Sequence, residues 1–141
     1  MTCKRTSALM MTALLLCIVG SAFAQGASNA RRLYDPSTEI TLKGTIARVT
    51  EISGRGAWNG THLTLQTDNR AYDVHLGPSD YVSNSGFKFS TGDQIEVTGS
   101  KLQNGGVEMI VAREIKKGDK VLTLRNRQGI PQWSQGRRRS Y

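Results

Sequence analysis

Cysteine is nearly absent from this chain of 141 residues. Its two cysteines, Cys3 and Cys17, both lie close to the N-terminus. If that segment is removed, the remaining chain has no disulfide, no thiolate metal site and no cysteine nucleophile. A domain of this kind must be stable through its hydrophobic core alone.

Recognisable catalytic motifs are absent as well. The sequence has no Gly-x-Ser-x-Gly, no His-Glu-x-x-His and no phosphate-binding loop, and its carboxylates are scattered. It also lacks Cys-x-x-Cys-His, the segment that attaches haem. We therefore expect a protein that is not an enzyme and that carries no cofactor.

The only long apolar run lies at the start of the chain. Lys4 and Arg5 precede an apolar stretch at residues 8–19, and Ala22-Phe23-Ala24 places small residues where a signal peptidase reads them. This pattern predicts a signal peptide over residues 1–24 and an exported protein, in the periplasm or outside the cell.

Two other interpretations of this segment stay open. An uncleaved membrane anchor is disfavoured because a membrane span needs about 20 apolar residues. A lipoprotein would use Cys17, but Leu14-Leu15-Leu16 precedes it and puts a bulky leucine where the lipoprotein pattern has Gly, Ala or Ser. We expect no stable membrane span once the signal has been cleaved.

Positive charge is concentrated at the C-terminus. Residues 25–124 contain twelve basic and eleven acidic residues, which leaves them nearly neutral. The remainder has five arginines and no acid. A basic stripe on a fold indicates nucleic-acid binding, but a basic tail is weaker evidence for it.

The region after the signal has the length of one domain. Residues 25–38 read as an extended lead-in, residues 39–125 as a β-rich body and residues 126–141 as a basic tail. In the body, apolar residues alternate from Ile40 to Ile46, and the alternation then slips by one residue. Such a slip predicts a long strand that bends through a bulge or a glycine kink.

The rest of the body reads as a hairpin around Asp68-Asn69, a short helical turn after Gly77, and a second hairpin around Asn104-Gly105-Gly106. A short strand at residues 121–125 follows. This order predicts an all-β fold, a five- to six-stranded Greek-key barrel of the oligonucleotide/oligosaccharide-binding (OB) kind with one short connecting helix. Another small barrel or sandwich is the alternative.

Several segments resemble small exported bacterial proteins related to the MamS/MamX-type magnetosome domain. They are Trp58–Leu63, Tyr72–Pro78, Gly92–Ser100, Ala112–Ile115, Lys117–Asp119, Leu122–Arg125 and Gly129–Trp133. The resemblance implies an OB-like fold and little about activity. Some relatives carry haem-attachment segments, but this chain has none, so that function is not implied for it.

The two histidines form the best local constellation. If Asp68-Asn69 is the hairpin turn, His62 lies directly opposite His75, and Asp73 is a diagonal neighbour. Two imidazoles and a carboxylate on one face can bind Zn²⁺ or Cu²⁺. An ordinary polar face with a His–Asp contact is the simpler interpretation.

A second candidate surface combines Arg55 and Trp58 in the first long loop, where an aromatic ring beside a cation suits single-stranded nucleic acid or a sugar. The alternative interpretation is that Trp58 closes one end of the core. The arginines Arg137, Arg138 and Arg139 suit phosphate, lipid headgroups or an acidic partner, unless the tail is simply solvated. Residues 129–133 could fold back as an apolar anchor.

Three functions follow from these features. We expect first an exported binding module for an envelope protein or a small ligand. The second is a binder of an anionic polymer, nucleic acid or polysaccharide, through Arg55, Trp58 and the tail. The third is a metal-binding or sensing module through His62 and His75.

Overall fold

The computed structural model describes residues 33–138, apart from the side chains of Asn104 and of residues 136–138. The predicted signal peptide, most of the predicted lead-in and Arg139 lie outside the described residues.

Six strands and one α-helix make up the described fold, with a 3-10 turn at each end. The strands are β1 (Glu39–Ile52), β2 (Gly60–Gln66), β3 (Ala71–Gly77), β4 (Gln94–Asn104), β5 (Val107–Lys117) and β6 (Lys120–Thr123), and the helix is α1 (Ser79–Asn84). The 3-10 turns are Pro36–Thr38 and Gln132–Arg138. No helix within residues 33–138 is both long and apolar enough to cross a bilayer.

The strands close into a five-stranded barrel. Strand β1 pairs with both β2 and β4, β2 pairs with β3, and β4 pairs with β5, all antiparallel. A parallel pairing of β3 with β5 completes the barrel, and β6 extends it as an extra strand beside β5. This is the predicted OB topology, and the connecting helix is present between β3 and β4 as expected.

Strand β1 bends at the point that the alternation indicates. Its first half pairs with β4 and its second half with β2, and Thr45 is paired with both. The register shifts between Ile46 and Arg48, so Ala47 is an extra residue. Gly44 lies beside this bend, and a Cβ there would be 2.3 Å from the Gln66 carbonyl oxygen. The predicted bulge and glycine are thus both confirmed.

The core fills the barrel with apolar side chains, and each of the six strands contributes to it. Among the described residues, eleven apolar ones are less than 2% exposed: Ile46, Leu63, Leu65, Val74, Leu76, Val97, Ile110, Val111, Ala112, Ile115 and Leu124. Truncating one of the larger side chains in such a core to alanine costs about 2–5 kcal/mol.

The segment after β6 folds back onto the barrel. The Asn126 side chain accepts hydrogen bonds from the backbone N–H groups of Gln128 and Ile130, which makes a tight turn. Pro131 then pairs with Arg125, and Trp133 packs against the core. The predicted return of residues 129–133 as an apolar anchor is confirmed.

Candidate functional site

A cavity of about 590 Å³ opens at one end of the barrel. We call it the loop cavity. It lies between the β1–β2 loop (residues 53–59), the start of α1 and the returning C-terminal segment, and His75, Arg125 and Trp133 line it. Its volume is within the range of small-molecule sites, about 300–1,000 Å³.

The two histidines meet beside this cavity as the hairpin register predicts. The Thr67 N–H donates to the Arg70 carbonyl across the turn. His62 therefore pairs with His75 on the neighbouring strand. Both imidazoles are 3% exposed, and their ring centres are 4.8 Å apart.

His62 lies between two fixed acceptors. Its Nδ1 is 3.0 Å from the Asp73 carboxylate, and its Nε2 is 2.8 Å from the Trp58 carbonyl oxygen. A neutral imidazole carries one N–H and would leave one acceptor facing a lone pair. Only the imidazolium donates to both acceptors, so this geometry favours the charged form of His62.

The electrostatics of His62 agree with this assignment. Burial lowers the pKa of His62, but the hydrogen bonds to the Asp73 carboxylate and the Trp58 carbonyl outweigh burial and raise that pKa above its ordinary value. The loop residue Trp58 therefore contributes a backbone oxygen to the site.

His75 has the opposite character. Its Nδ1 is 3.1 Å from Nε2 of His62 and accepts a share of that N–H. Burial, together with the nearby positive charges of Arg125 and His62, lowers the pKa of His75 to about 3. The pair thus combines a charged imidazole held by Asp73 with a neutral imidazole that lines the loop cavity.

Asp73→Asn is expected to lower the pKa of His62, because it removes the carboxylate that stabilises the imidazolium. NMR titration of the imidazole resonances measures this pKa. Asp93→Asn is the matched control, since Asp93 is a carboxylate paired with Lys117 instead. An unchanged His62 pKa in Asp73→Asn would contradict the proposed charge state.

Arg125 is a buried cation at the end of the predicted β-rich body. It is 4% exposed, and its Nη1 donates to the carbonyl oxygens of Leu76, at 2.9 Å, and Ala112. The Trp133 ring lies 4.9 Å from its guanidinium carbon, a cation–π contact. Burial lowers the pKa of Arg125 to about 10, which leaves it charged at neutral pH.

Alternation along β6 gives no sign that Arg125 is buried. Leu124 and Arg125 both donate their N–H groups to the Arg113 carbonyl, so two residues oppose one, as in a bulge. Both side chains are consequently buried in succession. Arg125 and Trp133 are the site residues that the sequence prediction missed.

The predicted surface of Arg55 and Trp58 is only partly assembled. Arg55 is exposed on the β1–β2 loop. Trp58 is half-buried, and its ring stands edge-on to His75 with ring centres 5.5 Å apart. Trp58 therefore packs beside the histidine pair. The tail residues Arg137, Arg138 and Arg139 lie where no side chains are described, so their role stays a prediction.

The predicted metal residues His62, Asp73 and His75 do come together, but their atoms face one another. Both ring nitrogens of His62 are directed at protein partners. Across residues 33–138, no three His, Cys, Asp or Glu side chains are arranged to hold a metal ion. The geometry disfavours the metal site, and metal binding stays a prediction.

No curated protein sequence matches this chain. A chain of the S. pombe Stn1–Ten1 complex is similar in structure, with 16% identity and a TM-score of 0.46, covering 58% of this chain and 59% of that one. An OBody, AM1L10, bound to hen egg-white lysozyme, has 17% identity and a TM-score of 0.42, covering 66% of this chain and 90% of the OBody.

A family model gives the identification. The model of the MamS/MamX magnetosome protein family matches residues 38–122, which span the barrel from the start of β1 into β6. The resemblance seen in the sequence is thereby confirmed. This chain belongs to the MamS/MamX magnetosome protein family.

Proposed function

We propose that this protein is a non-enzymatic binding module of the bacterial envelope, and that the loop cavity is its site for a small ligand. The observation that carries the proposal is the cavity itself. It combines a suitable volume with two buried polar side chains, His75 and Arg125, and with one aromatic side chain, Trp133. Such a mixture of apolar walls and a few fixed polar groups is typical of ligand sites.

The histidine pair supports binding over catalysis. Both nitrogens of His62 are engaged by fixed partners, so His62 is poorly placed to take a proton from a substrate. Because burial lowers the pKa of His75 to about 3, His75 is a weak base at neutral pH. The proposed location in the envelope rests on the predicted signal peptide at residues 1–24.

The test is to purify the full-length gene product from its native envelope and identify by mass spectrometry what accompanies it. We expect one small molecule to remain bound under native conditions and the chain to begin at Gln25. Ala57→Trp places a bulky ring on an exposed residue that lines the cavity. This variant is expected to lose the molecule.

Ala71→Trp is the matched control, because Ala71 is exposed on β3 and does not line the cavity. It is expected to retain the molecule. A protein partner that co-purifies equally with both variants, and no small molecule, would contradict the cavity proposal and favour an interaction module.

The other two functions have their own tests. An anionic-polymer binder would show DNA or polysaccharide affinity that falls steeply with salt, and no binding at low salt would exclude it. A metal-binding module would bind Zn²⁺ or Cu²⁺ less tightly in His62→Ala. An unchanged affinity in that variant would exclude this site.

A further inference from the structure

The guanidinium of Arg125 has N–H donors that make no hydrogen bond with the described residues. A guanidinium carries five N–H groups in a planar fork, and both described hydrogen bonds of Arg125 come from Nη1. Nε and Nη2 have no acceptor among the described residues. Arg125 lines the loop cavity, so a ligand in that cavity can supply acceptors for these two nitrogens.

Among the described residues, the positive charge of Arg125 also lacks a counter-charge. Its two acceptors are neutral carbonyl groups, and no carboxylate within residues 33–138 forms a salt bridge with it. Burying a cation without an anion is costly. The second positive group nearby, His62, is already paired with Asp73, so Arg125 is the cation available to a ligand.

Contacts within the protein fix the orientation of the Arg125 guanidinium before any ligand binds. The Leu76 and Ala112 carbonyls hold one nitrogen, and the Trp133 ring lies 4.9 Å from the guanidinium carbon. A planar fork held in this way matches the two oxygens of a carboxylate or a phosphate. A volume of about 590 Å³ suits a small molecule that carries such a group.

We infer that the small ligand of the loop cavity carries an oxyanion, a carboxylate or a phosphate, which accepts hydrogen bonds from Nε and Nη2 of Arg125. This inference rests on the proposed function, since it assumes that the cavity is a ligand site. The oxyanion supplies the counter-charge that Arg125 lacks, and the apolar part of the ligand lies against the Trp133 side of the cavity.

Calorimetric titration at constant ionic strength tests the inference with benzoate, phenyl phosphate and benzamide. Benzamide has the shape of benzoate without its charge. We expect at least one anion to bind about tenfold or more tightly than benzamide, and the tighter of the two anions identifies the group. Arg125→Met is expected to abolish that preference, with folding checked by circular dichroism.

Asp80→Asn keeps the test decisive if Arg125→Met does not fold. Asp80 is exposed and lines the cavity, so its charge opposes an anion there. Its removal is expected to raise the affinity for the preferred anion about twofold and to affect the uncharged benzamide less. Asp119→Asn is the matched control, because Asp119 is an exposed acid that does not line the cavity.

The outcomes separate the inference from the proposed function. Benzamide could bind as tightly as both anions, and Ala57→Trp could block that binding. This result would overturn the inference but leave the cavity as a ligand site. An anion preference that survives Arg125→Met would also overturn it. If Ala57→Trp retains both the native molecule and the binding of the probes, the proposed function fails, and the inference fails with it.

Discussion

Gly77→Ala is expected to destabilise the protein by roughly 3 kcal/mol and to displace Trp133 from the barrel. Gly77 ends β3 with a φ of +146°, a conformation that side chains disfavour. A Cβ there would lie 2.4 Å from the Trp133 ring. Urea unfolding measures the loss of stability, and the indole N–H resonance of Trp133 reports its displacement.

Gly54→Ala is the matched control for this prediction. Gly54 has the same φ of +146°, but nothing lies within 4 Å of the position where its Cβ would be. It therefore has the backbone cost without the collision, and we expect it to cost about 1–2 kcal/mol less than Gly77→Ala. Equal losses in both variants would contradict the packing of Trp133 on Gly77.

Acid is expected to weaken the fold well before the carboxylates titrate. The ordinary pKa of histidine is about 6.5, whereas burial, Arg125 and His62 lower the pKa of folded His75 to about 3. Between these values the unfolded chain takes up a proton that folded His75 does not. The contribution of His75 is therefore complete above pH 6.5, and roughly 2–3 kcal/mol is lost by pH 4.5.

His75→Gln is expected to remove most of this slope in urea unfolding measured from pH 7 to pH 4.5. His62 does not offset it, because the hydrogen bonds of His62 outweigh its burial and raise its pKa. The stability from His62 is complete below pH 6.5 and is lost only as the pH rises through its folded pKa. A slope that is unchanged in His75→Gln would show that His75 is not buried in its neutral form.

Local sequence patterns were sufficient for the barrel. The Asp68-Asn69 turn determines the β2–β3 register, and this register places His62 opposite His75. The phase slip after Ile46 likewise predicts the bulge in β1. Both features depend on neighbouring residues and on the period of two, which a sequence displays directly.

The cavity depends on contacts that no local pattern encodes. Arg125 is buried because Leu124 and Arg125 together oppose Arg113 in a bulge, which breaks the alternation after β6. Trp133 packs against Gly77, although 56 positions of the chain separate them. Trp58 contributes its backbone carbonyl to the site, and the residue type does not indicate such a backbone contact. Such features arise only when distant segments pack together.

The cavity also joins two parts of the chain. His62, Asp73 and His75 lie within residues 38–122, which match the family model, whereas Arg125 and Trp133 follow them. The family match therefore covers the barrel and does not reach Arg125 or Trp133. The proposed ligand site is completed by the C-terminal segment that folds back after β6.

The most direct test of the proposed site is a crystal structure of the protein purified from its native envelope. The proposal predicts electron density for one small molecule in the loop cavity, with an oxyanion within hydrogen-bond distance of Nε and Nη2 of Arg125. A cavity that contains only solvent, in a protein that retains its native ligand elsewhere, would contradict it.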